Sequence, residues 1–392
     1  MYGSSHMEIS ELRTAGGGLL QTHNNLPPVG PPDTCDFTEG QPEHCLKAGD
    51  ERVNEILNLA MMHTAFLREH NRLAKKVANS CRRYRRNNNR MFEETRRIMI
   101  GVMQNIVFYE FLPKVLGRKM MRRNGLLEEQ YRGYDESVNP SILNEFATAA
   151  YRFGHSLVMD EFEFMTTDYS VETTKHVSQT FFKPEEIQYT EQAKKLLRFL
   201  TTDRTFKMDR EFNPAIQDLL FLDQNHDSFD LPAANTQRGR DHGLAPYMEI
   251  RRACRLPTVT TFENLYGISE DDRARLASVY AHVDDIDLFV GGILEEHVDG
   301  GIVGPTFACI IGEQFRRLKV GDRYYFERRK ESIREFDRRQ IAAIKEHSLA
   351  KILCENFDFQ YIQRDVMKVP NCISNPTQLC SQLPDLDMNV FC

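Results

Sequence analysis

Residues 52–80 read RVNEILNLAMMHTAFLREHNRLAKKVANS. Ile56, Leu59, Met62, Phe66 and Leu73 recur at helical spacing, so the stretch predicts one long amphipathic helix over 52–80. In its middle, Leu67-Arg68-Glu69-His70-Asn71-Arg72 interrupts the apolar pattern with five polar side chains. So polar a segment inside a buried helix predicts a hydrogen-bond network, with His70 a satisfied structural histidine rather than a ligand. At the helix start Arg52 and Glu55, three residues apart, share a face; taken alone they read as a surface ion pair.

The same periodicity spreads outward. Phe92, Thr95, Met99, Val102, Ile106 and Phe111 predict a second helix over 91–116, with Gly117 as its C-cap. Further helices are predicted at 144–158, 189–200, 271–283, 305–318, 331–347 and 348–356. Strand-like alternation is scarce, no internal repeat is present, and residues 1–50 read as loop, with Gly16-Gly17-Gly18 and Pro27-Pro28. The expectation is a mainly α, single helical domain over 1–392: a loop-rich lead-in over 1–50 and a helical core over 51–392. The stretch Arg82-Arg83-Tyr84-Arg85-Arg86, followed by Asn87-Asn88-Asn89, reads as a solvated inter-helix turn rather than a nucleic-acid or heparin surface.

Composition narrows the class. The chain has 392 residues, 50 basic and 57 acidic side chains and a net charge of −7, which excludes a polycationic nucleic-acid binder. With 41% hydrophobic and 27% charged residues it is globular in composition, not disordered. No run reaches the roughly 18 uninterrupted apolar residues of a membrane helix, and the first residues have neither a basic n-region nor an apolar h-region. Nine cysteines without a C-x-x-C pair point to structural disulfides and an oxidising compartment. Cys35 and Cys45 bracket a short loop containing Asp36, Glu39 and Pro42, a clip worth on the order of 3 kcal/mol if oxidised.

Two segments carry candidate chemistry. In Tyr151-Arg152-Phe153-Gly154-His155-Ser156 a lone histidine follows a glycine in a helical context, which suits close approach of a flat group to the backbone. A haem macrocycle held by one axial imidazole fits that description, as does an ordinary core histidine. Arg152, three residues before His155, would lie on the same face toward a propionate. Leu231–Gly243 is the second segment, a dense polar cluster opened by Pro232 and closed by Gly243. An amide such as Asn235 would accept the Nδ1–H of an axial histidine and fix its tautomer; the plainer reading is a charged turn with Asp241 capping a helix.

Taken in order, these residues resemble the animal haem peroxidase family. The resemblance runs through Tyr2-Gly3-Ser4-Ser5, Leu12-Arg13, Gly18-Leu19-Leu20, Ala48–Arg52, Met62-His63-Thr64, Leu67–Ala74 and Tyr151–His155. It continues through Asn235–Gly243, Gly291-Gly292, Val303-Gly304-Pro305, Ile310-Ile311-Gly312 and Gln314-Phe315. It implies a mainly α domain binding haem b, with His155 as the proximal iron ligand and Asn235 as the amide hydrogen-bonded to it. It implies Arg52 as the distal catalytic arginine, which polarises peroxide. Glu55 takes the place of the glutamate able to form an ester to a haem methyl, and Arg152 and Arg238 those of the arginines near the propionates. Ile56 stands where a haem-linked methionine occurs in some members, so no sulfonium bond is expected. The resemblance also implies disulfides Cys35–Cys45, Cys254–Cys309 and Cys354–Cys380, and leaves Cys81, Cys372 and Cys392 unassigned.

One departure matters. In the family the distal histidine, its neighbouring glutamine, the second ester-forming aspartate and the calcium-binding loop precede the Tyr-Gly-Ser motif. None of the 12 histidines here lies in a comparable context. The resemblance therefore implies a C-terminal portion, N-terminally truncated, of a secreted haem peroxidase that reduces hydrogen peroxide while oxidising small phenolic or halide donors. Turnover by this chain should be impaired, since Arg52 cannot act as the base that moves a peroxide proton. The alternative is a non-catalytic, extracellular peroxidase-like interaction module.

Overall fold

A computed structural model describes residues 1–36, 45–188, 190–222, 227–328 and 335–392. It is mainly α, with two small antiparallel hairpins, Glu161–Met165 with Val171–His176 and Tyr361–Gln363 with Thr377–Leu379. The chain forms two compact units. One comprises Met1–Ile106, Glu161–Arg204 and Lys330–Cys392; the other comprises Val107–Asp160 and Thr205–Arg329.

In the first unit the long helix runs Leu57–Ser80, not from Arg52. Residues Glu51–Asn54 instead make a tight turn of 3₁₀ helix, closed by the Asp50 carboxylate accepting from the Arg52 N–H. Ile56 is extended at φ −152°, ψ 148°, and the Glu55 carbonyl accepts from the Phe182 N–H at 3.3 Å, a partner outside the helix. One face of the helix buries Leu57, Met61, Ala65, Leu73 and Val77. Phe92 is fully buried against Leu12, Leu20 and Leu67, a side chain whose burial contributes roughly 2–3 kcal/mol.

The polar middle of this helix is the network its sequence predicted. Glu69, fully buried, accepts from both Arg72 Nε and Nη2 at 2.8 Å, from Asn356 Nδ2 at 2.7 Å, and pairs with His347 Nε2 at 2.8 Å. Arg72 reaches on to Asp385, which also binds Lys76. His70 is structural: its Nε2 meets the Gly18 carbonyl at 3.0 Å and its Nδ1 the Tyr2 hydroxyl at 2.7 Å.

The second predicted helix begins earlier, at Asn88, because Asn87 caps it by accepting from the Arg90 N–H at 2.9 Å. It runs to Asn105 and passes through a π-helical turn, Ile106–Phe111, before Leu112–Arg123. Gly117, at φ 67° and ψ 157°, does break the helix as predicted. A Cβ there would lie 2.2 Å from the Asp299 carbonyl oxygen, so no other residue fits. Beyond it the chain turns helical again to Arg123. By length and hydropathy the run Asn88–Gln130 would suffice to cross a membrane, yet half of its most apolar window is buried inside the protein.

Residues 144–158 are not one α-helix. Asn144–Thr148 is α-helical, Ala149 breaks it at φ −133°, ψ −68°, and Ala150–Leu157 continues as 3₁₀ helix. Leu231–Asp241, expected as a polar cluster or charged turn, is an α-helix capped by Asp230, not by Asp241. The other predicted helices lie at Thr190–Thr202, Glu270–Val279, Pro305–Val320, Arg338–Glu346 and Leu349–Phe357, and short helices that the sequence did not suggest lie at His6–Leu12, inside the lead-in expected to be loop, and at Pro214–Gln217, Tyr247–Ala253 and Leu288–Ile293. Thus 271–283 stops short at Val279. The helix expected over 331–347 starts only after its cap Asp337; residues 331–334 lie outside the described ones.

Disulfides Cys35–Cys45, Cys254–Cys309 and Cys354–Cys380 are present as implied, and a fourth joins two unassigned cysteines, Cys81 and Cys392, across 311 residues. Glu39 and Pro42 of the clip lie outside the described residues. Cys372 is an exposed free thiol.

Candidate functional site

The second unit brings three of the predicted residues together. In the 3₁₀ run Ala150–Leu157 three residues make one turn, so Arg152 and His155 stand one above the other. The helix Leu231–Asp241 delivers Asn235, fully buried, to both of them. Asn235 Oδ1 accepts from Arg152 Nη1 at 2.9 Å, and Asn235 Nδ2 lies 2.9 Å from His155 Nδ1.

This pairing reverses the expected one. The amide was expected to accept from His155 Nδ1–H, but its oxygen is taken by Arg152, a donor with no acceptor of its own. The amide therefore donates to Nδ1, which places the proton of a neutral ring on Nε2. Burial first, then the Arg152 cation, lowers the His155 pKa to about 4, while the Asn235 bond works the other way. The ring is neutral at pH 7, the form a metal requires.

Arg238 lies one turn beyond Asn235 and is exposed. Its charge adds to burial in lowering the Arg152 pKa. The charges of the two arginines act on one another, and among the described residues neither makes an ion pair with a carboxylate, an arrangement that suits an anionic ligand group. At Gly154 an added Cβ would meet nothing within 4 Å, so the glycine faces open space rather than packed protein.

Among the described residues no cluster of three or more His, Cys, Asp or Glu could hold a bare metal ion. A single neutral imidazole beside an open backbone and two arginines instead suits a metal that brings most of its own ligands in a flat, anionic macrocycle. The donor set fits haem.

Arg52 and Glu55 belong to the first unit. Asp50, which carried no predicted role, grips Arg52 with both oxygens: Nε to Oδ1 at 3.0 Å and Nη2 to Oδ2 at 2.7 Å. That ion pair pushes the Asp50 carboxyl well below the usual range and raises the arginine. The Arg52 side chain remains 68% exposed. Glu55 is half-buried, and burial raises its pKa against the pull of Arg52. His63, on the helix that follows, feels both Asp50 and Arg52; burial lowers its pKa to about 4. The signal for Asp50 was in the sequence, since an aspartate immediately before a tight turn commonly caps it by accepting from the N–H two residues on. His63 stood in the sequence only within the Met62-His63-Thr64 stretch of the family resemblance, with no role attached to it.

The model of the family described as animal haem peroxidase matches residues 1–367. The chain belongs to the animal haem peroxidase family. A peroxidasin homologue from Caenorhabditis elegans, pxn-2, is 36% identical over 91% of this chain, and the match covers 27% of that relative. Heme peroxidase 2 of the same organism is 36% identical over the whole chain, which matches 55% of its length. The chain thus spans between about a quarter and about half of these curated relatives. Among solved structures, peroxidase A of Dictyostelium discoideum superposes with a TM-score of 0.80 at 30% identity, covering 93% of this chain and 69% of that one. A fatty acid alpha-dioxygenase of Arabidopsis thaliana, at 17% identity and TM-score 0.69, shares the fold.

Proposed function

We propose that the chain carries the proximal half, and the arginine of the distal half, of a haem b site in an extracellular peroxidase acting as one peroxidase-like domain. Its reaction reduces hydrogen peroxide and oxidises small phenolic or halide donors. The observation that supports this most directly is that the fully buried Asn235 amide stands within hydrogen-bond distance of both His155 Nδ1 and Arg152 Nη1, beside an open Gly154; four disulfides support an oxidising compartment.

The bound haem supplies the redox-active iron at which the O–O bond breaks. His155 would hold it through Nε2, with the ring proton then at Nδ1 and the Asn235 oxygen turned to accept it. Arg152, freed from that oxygen, and Arg238 would hold the anionic propionate edge. Arg52, fixed by Asp50, supplies a permanent cation that stabilises charge developing on peroxide oxygen. Glu55, with its carboxyl in a half-buried setting, is the residue for an ester to the haem. Arg52, a permanent cation, cannot itself carry the peroxide proton, so this chain as a separate polypeptide should turn over slowly.

Haemin titration of the oxidised chain tests the reading. A Soret band is expected for the wild type and lost in His155→Ala with circular dichroism unchanged. An identical band in His155→Ala removes His155 as ligand. Phenol oxidation at the rate of a full-length family member removes the proposed impairment.

A further inference from the structure

The turn between the helices Leu57–Ser80 and Asn88–Asn105 has no part in the haem reading. Arg82, Arg83, Arg85, Arg86 and Arg90 are all exposed on it or just beyond it. Arg83 lies over the Tyr84 ring at 4.6 Å and donates to the Phe391 carbonyl at 3.1 Å. Among the described residues, the side chains of Arg82, Arg85, Arg86 and Arg90 make no hydrogen bond or ion pair. The nearest acids in sequence are committed elsewhere, Glu93 to Arg96 at 3.5 Å and Glu94 to Arg97 at 2.6 Å. On a chain of net charge −7, five arginines gathered within nine residues repel one another, and among the described residues no ion pair offsets it.

The turn is also held in shape. The Tyr84 N–H donates to the Cys81 carbonyl at 3.0 Å and the Asn87 N–H to the Tyr84 carbonyl at 2.9 Å. The Cys81–Cys392 disulfide, which the family resemblance did not supply, ties its first residue to the chain end. A ligand meeting this surface therefore orders side chains but not backbone, which lowers the entropy cost of binding.

We propose that this turn is a binding site for a linear sulfated polysaccharide. Arginine forks match the oxygens of tetrahedral oxyanions in pairs. Base stacking is unfavoured, because Tyr84, the sole aromatic residue between Cys81 and Arg90, has a ring face covered by Arg83. Residues 82–90 expose no large apolar side chain to enter a lipid surface. Four disulfides place the chain where sulfated polysaccharides occur. The site departs from the solvated turn that the sequence suggested and owes nothing to haem.

The test is calorimetric titration of the full, disulfide-intact chain with a heparin dodecasaccharide in about 0.15 M NaCl, where the screening length is about 8 Å. Binding is expected to weaken steeply with salt, and by about tenfold or more in R82Q/R85Q/R86Q/R90Q. The lysine variant R82K/R85K/R86K/R90K keeps the charge, loses the forks, and should fall between the two. R118Q/K119Q/R122Q/R123Q removes the same charge from exposed positions on the helix ending at Arg123 and should change affinity no more than about twofold. Equal losses in the two glutamine variants make the effect one of bulk charge and overturn the site. So do the absence of wild-type binding and equally tight binding of desulfated heparin, single-stranded DNA or anionic vesicles.

Discussion

Replacing Glu69 by glutamine should destabilise the unit that contains it by about 3 kcal/mol at pH 7. Glu69 is fully buried and accepts from Arg72 twice, from Asn356 and from His347. Burial alone would raise its carboxyl; the Arg72 and His347 hydrogen bonds overcome that and bring it from the ordinary 4.5 to about 2. The difference between those values corresponds to about 3 kcal/mol of folding stability. Breaking a buried ion pair from one side independently costs roughly 3–5 kcal/mol, since Arg72 is left partly uncompensated. Because the folded-state pKa is depressed, this contribution is complete above pH 4.5 and disappears as pH falls toward 2. Glutamine mimics the protonated carboxyl, so the gap between wild type and E69Q should close over that same interval. Urea unfolding followed by circular dichroism, at several pH values and with a common m-value, measures it. A gap below about 1 kcal/mol at pH 7, or one of constant size from pH 7 to pH 3, would refute the reasoning.

Two further outcomes follow from the site and the disulfides. Asn235→Ala should weaken haemin binding by about 10- to 100-fold, because it removes the buried partner of both His155 and Arg152; an affinity within about twofold of wild type in a Soret titration would show that the amide does not position the imidazole. Cys81→Ser with Cys392→Ser should destabilise the first unit by up to about 6 kcal/mol in the chain-entropy picture, whereas Cys372→Ser, at an exposed free thiol, should be neutral in the same denaturation assay.

The helical character was legible because it is written in local periodicity, and the long helices duly appear at Leu57–Ser80 and Asn88–Asn105. Polarity inside a helix was equally informative: the Arg68–Arg72 segment announced a buried network, and Glu69 stands at its centre. Helix breaks were less legible. Gly117 could be placed because glycine alone accepts φ 67° beside the Asp299 carbonyl. The break at Ile56 could not, because an apolar residue in phase carries no stop signal. What ends the helix there is a carbonyl engaged by Phe182, 127 residues away in sequence.

The candidate site divides along the same line. Which residue types are present, and in what order, is a property of the chain alone, and it was enough to point to a histidine, an amide and a set of arginines. Their partnerships are distances between segments far apart in sequence. Only the tertiary structure shows that Arg152, rather than His155, holds the Asn235 oxygen, that Asp50 grips Arg52, and that Cys81 pairs with Cys392. The physical reason is that periodicity and capping act within a few residues. A buried acceptor, by contrast, goes to whichever donor the fold delivers to it.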